Sequence, residues 1–365
     1  MEHGSPLYIG RFSTRAVPRT GRGDCTSPQT YKGEGTRRSQ RRGKITRVRR
    51  RDMMSRRVGA IAAAGSAAAL GLSWYGKKQQ SEKERSLRAL QPNQPVLLTL
   101  HSKQWVTNDA VQLRFDLPTS EHVLGLPVPG HVMVVDAATN YRPYSPITID
   151  RHASGFFDLL VRRYPRGEFS SQLARMEPGD QATFLGPCES RFQYKRGMAS
   201  NLGIVAAGTG ITPVWQVIQA ALADPDDKTC ISLVYASHSA EAILLKPELD
   251  RAAAEHPDRL RTCFVVSEPS AAGGELPLGV RRGRIDEDLL LERLPAAPDA
   301  TRHERPEDAC QLLICGPEGM LRELCGHRAR DGGVNATGPA AQARHPALGG
   351  TLWKLGYRAN QVVWL

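Results

Sequence analysis

The hydrophobic pattern of the chain changes its period near residue 200, and this change constrains the fold more than any other feature. Before it, short apolar runs such as "VLLTL", "VQLRFDL", "HVMVV" and "FFDLLVRRY" are separated by turn signals such as "LPVPG" and "EPGD". Such spacing is typical of a small antiparallel barrel. After it, strands such as "NLGIVAA" and "CISLVYA" alternate with helical runs such as "VWQVIQAALA" and "AILLKPELDRAAAEH". We therefore predict a small antiparallel β-barrel followed by a doubly wound parallel-sheet α/β domain.

The predicted organisation places three short segments before the two domains. A low-complexity tract from Gly326 to Gly350 is predicted to be a surface loop. The predicted bounds are 1–57 for a basic leader, 58–76 for an apolar segment, 77–94 for a charged connector, 95–196 for the barrel and 197–365 for the α/β domain.

The net charge of +12 is confined to the leader. Residues 1–57 contain 16 Lys/Arg and 4 Asp/Glu, and the rest of the chain contains 33 of each. A basic arm can bind nucleic acid electrostatically, but this one lacks interleaved aromatic residues and no nucleic-acid-binding motif follows it. We therefore expect no nucleic-acid partner. An Arg-rich, acid-poor leader is instead typical of a mitochondrial presequence.

The apolar segment 58–76, "VGAIAAAGSAAALGLSWYG", has nineteen residues and no charge. At ~1.5 Å per residue, a helix of this length spans about 28 Å, close to the hydrocarbon thickness of a bilayer. Trp74 and Tyr75 stand at one end, where aromatic residues favour the membrane interface. We expect an N-terminal anchor, in a mitochondrial membrane or alternatively in the endoplasmic reticulum. A cleaved targeting peptide is the other interpretation, and translation from Met53 or Met54 would omit the leader.

The seven cysteines form neither a CxxC pair nor a zinc-finger spacing, so we expect no metal site. Cys310 and Cys315 are five residues apart in the apolar run "CQLLIC". On a strand, an odd separation places two side chains on opposite faces of the sheet.

One glycine-containing turn is a candidate anion site because it follows a strand and opens a helix. In "VAAGTGITP", Gly208 and Gly210 leave room for a ligand backbone. Thr212 is predicted as the helix N-cap and Pro213 as the first helical residue. The helix N-terminus would then favour a phosphate. Without a ligand, the same residues would form an ordinary turn.

Two other stretches offer similar groups. "YPRGEFSSQL" places Gly167 and Ser170 at the start of a helix, where the alternative role is plain capping. "LLICGPEGM" ends a later strand at Cys315, and in a parallel sheet the carboxyl ends of the strands are where ligands bind. The alternative for Cys315 is a buried core cysteine.

The stretch "YRPYSP", Tyr141 to Pro146, carries a guanidinium, a phenol and a hydroxyl on a backbone that its prolines keep extended. With "GEFSSQL", "GTGITP" and "CGPEGM" in this order, it resembles the NADH-cytochrome b5 reductases, within the ferredoxin-reductase-like flavoenzymes. The resemblance runs from about Val96 to Leu365 and includes "LGLPVPGHV", "AILLKPEL", "GRID" and the closing "LGYRANQVVWL".

This resemblance implies that the barrel is an antiparallel Greek-key β-barrel that binds FAD and that the α/β domain binds NADH. Arg142 would pair with the FAD pyrophosphate, Tyr144 would pack on the flavin, and Ser145 would hydrogen-bond near flavin N5. A fork-shaped cation suits a diphosphate, and an aromatic face suits a flat ring. Cys315 would lie near the hydride-donating carbon, so Ser145 and Cys315 are the implied catalytic residues. The other implied cofactor-binding residues are Pro143, Arg162, Tyr164, Gly167, Glu168, Phe169 and Ser170 for FAD, and Gly208, Thr209, Gly210, Thr212, Pro213, Gly316, Pro317 and Met320 for the nicotinamide nucleotide.

The chain departs from the family pattern at three places. The "GPCESRFQY" segment is one residue longer than the common pattern. Glu168 and Phe169 replace the usual Lys-Met, and Ala242 replaces the acid that usually precedes "ILL". A carboxylate there favours a ribose 2′-hydroxyl over a 2′-phosphate. Because Glu241 is adjacent and only His238 could assist a 2′-phosphate, we expect NADH to be preferred over NADPH, with weakened discrimination.

The resemblance implies a membrane-anchored flavoenzyme that takes a hydride from NADH and passes single electrons to a haem protein such as cytochrome b5. "HPALGG" at His345 lacks the family's haem loop, so the acceptor is expected to be a separate protein. Two alternatives stay open. One is a related reductase that uses NADPH or a quinone-type acceptor, and the other is a flavin-free scaffold that retains the fold.

Overall fold

The computed structural model describes residues 85–136, 139–190, 192–268, 276–297, 310–326 and 348–365. The leader, the apolar segment 58–76, His345 and most of the predicted loop from Gly326 to Gly350 lie outside them. Across these described ranges, no helix combines the length and the apolar character needed to cross a membrane.

The first domain is a sheet of six antiparallel strands with one helix. The strands hydrogen-bond in the order β4-β3-β6-β1-β2-β5, and the helix lies between β5 and β6 in the chain. The elements are β1 (Val96–Trp105), β2 (Ala110–Asp116), β3 (Gly130–Val135), β4 (Tyr141–Tyr144), β5 (Phe156–Arg162), α1 (Glu168–Arg175) and β6 (Gln181–Glu189).

Strand β1 lets this sheet curve around a single core. Its first half pairs with β6 and its second half with β2, with a register shift between Leu100 and Ser102. At the centre of the core, the rings of Phe115, Phe157 and Phe184 are buried, with centroids 4.9 to 5.5 Å apart. Apolar side chains that alternate along every strand except β4 share this core. The barrel predicted from the sequence is confirmed.

The second domain is a parallel sheet of six strands with helices. Its strands hydrogen-bond in the order β10-β9-β8-β7-β11-β12. The strands are β7 (Asn201–Ala207), β8 (Cys230–Ser237), β9 (Leu260–Val266), β10 (Val280–Arg282), β11 (Cys310–Cys315) and β12 (Val362–Trp364). The helices are α2 (Ile211–Leu222), α3 (Lys246–Glu255), α4 (Glu287–Arg293), α5 (Glu318–Cys325) and α6 (Gly350–Lys354), with 3-10 turns at Gly208–Gly210 and Ala359–Gln361.

The central strands of this sheet are apolar on both faces, as a sheet covered by helices on both sides requires. Along β11, Cys310, Leu312 and Ile314 belong to one buried cluster, and Leu313 and Cys315 pack with the other. The prediction that Cys310 and Cys315 point to opposite faces is confirmed.

The order of the strands reverses between β7 and β11. From β7, the chain proceeds through β8 and β9 on one side and returns to β11 on the other. Such a reversal opens a crevice at the carboxyl ends of the two strands, where α/β sheets bind their ligands. The loops after β7 and β11, which carry the predicted nucleotide motifs, are therefore neighbours.

The two sheets share part of their core. Ile147 and Leu160 of the first domain are buried in the same apolar cluster as Leu202 and Ile204 of β7. This cluster fixes the barrel against one face of the parallel sheet.

One predicted helix begins later than expected. The run "AILLKPELDRAAAEH" predicts a helix from Ala242, but α3 begins at Lys246. Ile243 and Leu244 are buried in the core, and Leu245 has a left-handed backbone with φ of 56°. Tertiary burial of these apolar residues therefore holds the segment in a turn and delays the helix.

Candidate active site

Strand β4 presents Arg142 at the edge of the barrel sheet. Its guanidinium is exposed, and Nη1 donates to the carbonyl of Tyr141 over 2.9 Å. Within the described ranges, no carboxylate pairs with it. Pro143 is accommodated because β4 is an edge strand, where a missing N–H interrupts no central ladder. The arginine is thus held on a rigid strand with its donors available to an anion.

Tyr144 and Ser145 follow on the same strand end. The Tyr144 ring is half-buried and stacks on Phe169 of α1, with centroids 6.3 Å apart and planes at 22°. Burial raises the pKa of Tyr144 to about 12, so its hydroxyl is neutral at physiological pH. The half-buried Ser145 hydroxyl forms no hydrogen bond with the described part of the chain. An aromatic face and a spare hydroxyl therefore stand side by side.

The turn between β5 and α1 is closed by Ser170. Its hydroxyl donates to the carbonyl of Gly167 over 3.1 Å and accepts from the amide of Tyr164 over 3.2 Å. A Cβ at Gly167 would lie 2.7 Å from the Ser170 oxygen, so a larger residue would displace this hydroxyl. The hydroxyl thus supports the turn itself. The first amides of α1 have no partner within the helix and remain the donors for an anion.

The loop after β7 differs from its prediction. The 3-10 turn Gly208–Gly210 runs directly into α2, which begins at Ile211 with Gly210 as N-cap. The prediction of Thr212 as N-cap is wrong, because the helix has already started. The Thr212 hydroxyl instead donates back to the carbonyl of Thr209 over 3.1 Å. Pro213 lies in the first turn but is not its first residue, and its missing N–H costs nothing there.

The loops after β7 and β11 are in direct contact. A Cβ built on Gly210 would lie 2.3 Å from the carbonyl oxygen of Cys315, which excludes any larger residue. At Gly316 it would lie 2.6 Å from the Met320 methyl group of α5. Pro317 is the N-cap of α5. The contact brings the backbone of Cys315 against the loop that begins at Gly208. That Cys315 faces the same crevice as Gly208 stays a prediction.

The Cys315 thiol is enclosed at the end of β11. Its Sγ lies 3.5 Å from the carbonyl of Leu365, and burial raises its pKa to about 12. The residue as a whole is half-buried, although its thiol is enclosed. At neutral pH this group is a thiol and not a thiolate.

Arg162 lies at the end of β5 but reaches the second domain. Its Nη2 donates to the carbonyl of Ala242 over 2.9 Å, and a Cβ on Gly208 would lie 3.4 Å from its Nη1. Its Nε is 3.2 Å from the Asp109 carboxylate but out of line for a hydrogen bond. The resemblance groups Arg162 with the FAD phosphate turn, whereas the structure places it against the loops after β7 and β8.

Two further residues hold these loops, and the sequence analysis did not single them out. The fully buried Tyr235 of β8 donates its hydroxyl to the carbonyl of Gly208 over 2.9 Å and accepts from the amide of Leu244 over 3.3 Å. Gln216 of α2 hydrogen-bonds to the first domain. The available signal for both was a polar side chain at a position that the apolar pattern of its strand or helix predicts to be buried.

The surroundings of position 242 contain negative charge. His238, the residue considered for a 2′-phosphate, has its Nε2 3.1 Å from the Glu268 carboxylate, and both side chains are exposed. A carboxylate beside the imidazole repels a phosphate that approaches it. This arrangement favours a coenzyme with a free 2′-hydroxyl.

The residues present fit a dinucleotide and a flavin. One group, at Arg142, Tyr144 and α1, combines an exposed cation, a half-buried ring and the amides at the N-terminus of a helix. The other, at Gly208 to Gly210 and at Cys315, is a pair of touching loops at a switch point. Arg162 links the two groups.

Comparisons with known proteins agree with this division. The model of the oxidoreductase FAD-binding domain matches residues 97–194, and that of the oxidoreductase NAD-binding domain matches residues 204–326.

Several relatives are similar over most of their length. NADH-cytochrome b5 reductase 1 of Eremothecium gossypii is 36% identical over 242 residues, which cover 63% of this chain and 80% of that protein. NADH-cytochrome b5 reductase 1 of Dictyostelium discoideum is 36% identical over 255 residues, which cover 69% and 83%. Among solved structures, the cytochrome b5 reductase domain of Ulva prolifera nitrate reductase is 28% identical, with a TM-score of 0.60, and the match covers 76% of this chain and 100% of that one.

Proposed function

The chain belongs to the NADH-cytochrome b5 reductases, and from that premise we propose that its electrons pass to a separate haem protein, cytochrome b5 or a similar one. The chain itself is an NADH-dependent oxidoreductase with FAD-binding and NAD-binding domains. When bound, FAD allows electrons to pass from a two-electron donor to one-electron acceptors. The protein binds, orients and shields the reacting groups.

The observation that carries the proposal is the contact between elements of the two domains. Arg162 of the barrel reaches the loops after β7 and β8, and those loops stand beside the end of β11. A flavin held along β4 and a nicotinamide held in the crevice would therefore meet between them.

On the flavin side, we assign three roles. Arg142 binds the pyrophosphate, because its guanidinium is exposed and no carboxylate within the described ranges pairs with it. Tyr144 packs on the flavin, and the Ser145 hydroxyl donates to or accepts from N5. Other contributions come from Pro143, Tyr164, Gly167, Glu168, Phe169 and Ser170, which build the strand end and the phosphate turn.

On the nicotinamide side, the crevice is lined by backbone and small side chains. Gly210 and Gly316 let the loops after β7 and β11 pack closely against each other, and we assign the backbone of Gly208 to Gly210 to the contact with the coenzyme. Cys315 shapes the pocket as a neutral thiol, since its pKa is raised to about 12, and it neither donates charge nor removes a proton at neutral pH. The remaining proposed contacts are Thr209, Thr212, Pro213, Pro317 and Met320.

We assign membrane attachment to residues 58–76 and targeting to the basic leader, with mitochondria as the proposed destination. The support for this is the length of the uncharged run and the confinement of the net charge to residues 1–57. Attachment to a membrane would bring the enzyme close to a membrane-bound haem partner.

A flavin spectrum and two titrations test the proposed function. The full chain, purified in detergent, is expected to be yellow and to lose its flavin absorbance on anaerobic addition of NADH. NADPH is expected to act more slowly, because Glu268 stands beside His238. Reoxidation by cytochrome b5, with a soluble quinone as the comparison, identifies the class of acceptor. A colourless protein that cannot be reconstituted with FAD would contradict the proposal.

A further inference from the structure

Helix α2 makes three side-chain hydrogen bonds to the backbone of the first domain. Gln216 Nε2 donates to the carbonyl of Pro146 over 2.7 Å, and Gln216 Oε1 accepts from the amide of Gly130 over 2.8 Å. Gln219 Nε2 donates to the carbonyl of Ile147 over 2.9 Å. Residues three apart lie on one face of a helix, so the two side chains form a single contact. We call Gln216 and Gln219 the glutamine clamp.

The glutamine clamp joins the two halves of the active site. Pro146 directly follows Ser145 at the end of the flavin strand, and α2 directly follows Gly210 in the nucleotide loop. A displacement of α2 therefore moves the Gly208–Gly210 loop. The hydrogen bonds to Pro146 and Ile147 couple that loop to the strand end that carries Ser145.

Gln216 is suited to this position because its amide both donates and accepts. Its side chain is only 1% exposed, and both ends of the amide are used. An apolar residue there would leave the amide of Gly130 and the carbonyl of Pro146 buried without these partners, which is costly. A carboxylate at position 216 could not donate a hydrogen bond, so it would place a second acceptor against the Pro146 carbonyl.

We propose that Gln216, supported by Gln219, is a positioning residue for hydride transfer. It fixes the strand end at Ser145 against the loop at Gly208 to Gly210 and so sets the approach of nicotinamide to flavin. This inference rests on the proposed function, because the two cofactors must meet between these elements. Reacting atoms must come within about 3 to 3.5 Å, and a misplacement of 1 Å can lower a rate ~100-fold.

The first variant removes the clamp without a large change in volume. In Gln216→Met, we expect normal FAD content and a KM for NADH near that of the wild type. The limiting rate of flavin reduction at saturating NADH, measured by stopped flow, should fall by up to ~100-fold. In the FAD-free protein, the Gly130 amide should exchange its hydrogen faster, because its acceptor is gone.

The second variant makes the clamp depend on pH. In Gln216→Glu, the carboxylate cannot donate to Pro146, but the protonated acid can donate to it and still accept from Gly130. Burial raises the pKa of a carboxyl group by up to about 3 to 5 units. The reduction rate of this variant should therefore recover as the pH falls from roughly 8 to 6, whereas the wild type should show no such recovery.

Leu260→Ala is the matched control for lost stability. Leu260 is buried at the start of β9, at the end of the sheet opposite the nucleotide loops. The cavity should lower the melting temperature, while the reduction rate per bound flavin stays unchanged. If Gln216→Met does not fold, Gln219→Met provides the same test. It removes only the half-buried hydrogen bond to the Ile147 carbonyl, so the limiting rate of flavin reduction should fall by a smaller factor.

Two results would overturn the inference. One is an unchanged limiting rate in Gln216→Met despite faster exchange at Gly130. The other is a Gln216→Glu variant whose rate does not recover at low pH. Failure of the proposed function looks different, since wild-type flavin reduced by NADH would then not be reoxidised by cytochrome b5, while the limiting rate of flavin reduction and the exchange at Gly130 would still report on the clamp.

Discussion

At the scale of single residues, the proposed site combines an exposed charged group with a buried group that stays neutral. Arg142 is exposed on an edge strand, and its hydrogen bond to the Tyr141 carbonyl leaves its positive charge uncompensated within the described ranges. Cys315 is the opposite case, because burial raises its pKa to about 12 and keeps it neutral. These two environments suit an anion and an uncharged ring, respectively.

Replacing Arg142 by Ala is expected to weaken FAD binding. Each lost charged hydrogen bond is worth about 1.5 to 3 kcal/mol, or roughly 10- to 150-fold in affinity. Flavin absorbance retained after gel filtration measures the loss. Arg196→Ala is the control, because Arg196 is also exposed but pairs with Asp224 and Asp226. Equal FAD retention in both variants would argue against the role assigned to Arg142.

Replacing Cys315 by Ala is expected to slow flavin reduction while FAD content is preserved. The matched control is Cys263→Ala, which removes a buried thiol from the other face of the sheet. It should lower the melting temperature and leave the rate alone. If Cys315→Ala behaves in the same way, Cys315 is a core residue only.

The raised pKa of Cys315 also predicts a pH dependence. An unfolded thiol ionises near pH ~8.5, whereas the folded one does so at about 12. The stability from its neutral form is therefore complete below the unfolded pKa and is lost as pH rises between these values. Melting temperatures of the wild type and Cys315→Ala should converge over that alkaline range.

At the scale of secondary structure elements, the proposed active site is a set of loops that side-chain hydrogen bonds connect to one another. The hydroxyl of Tyr235, on β8, connects the loop after its neighbour β7 with the turn that precedes α3. Arg162 adds a connection from β5 to both. The strand ends proposed to bind the coenzyme are therefore fixed by side chains from a neighbouring strand and from the barrel sheet.

Tyr235→Phe is expected to loosen the nucleotide loop. The Gly208 carbonyl and the Leu244 amide lose a partner, at a cost of about 1 to 3 kcal/mol in stability, and the KM for NADH should rise. Tyr357→Phe provides the comparison, because Tyr357 also donates a half-buried hydroxyl to a carbonyl, that of Pro295, and packs in the other apolar cluster. That variant should lose stability and keep its KM. An unchanged KM in Tyr235→Phe would show that the loop does not need the hydroxyl.

At the scale of the whole molecule, catalysis and attachment are assigned to different parts of the chain. The two sheets share an apolar cluster, so the barrel and the α/β domain act as one unit from residue 85 onward. The net charge lies in residues 1–57. Loss of the N-terminal region should therefore leave the chemistry intact.

Deletion of residues 1–80 is expected to release the enzyme from membranes. Reduction of ferricyanide should be unchanged, while reduction of a membrane-bound haem partner should fall because the shared surface raises effective concentration. Alkaline carbonate extraction of the full-length protein tests the anchor directly. Recovery of that protein in the supernatant would mean that residues 58–76 do not span the bilayer.

The sequence by itself determined the fold classes of the two domains and the family, and it supplied the stretches that we propose for the site. Apolar and polar residues alternate in "VQLRFDL", and strands alternate with helices after residue 200. Both are local patterns, because each reflects which nearby side chains are buried. The placement of Cys310 and Cys315 on opposite faces followed in the same way from the period of a strand. Each of these features depends on residues close together in the chain.

Only the tertiary structure decided how distant residues meet. Arg162 is 80 residues from Ala242, and Gln216 is 70 residues from Pro146 and 86 from Gly130. No periodicity encodes such pairs, because they arise when two sheets pack and each buried polar group must find a partner. Thr212 shows the same effect at short range, since the turn before it continued into the helix and left its hydroxyl to bond backward.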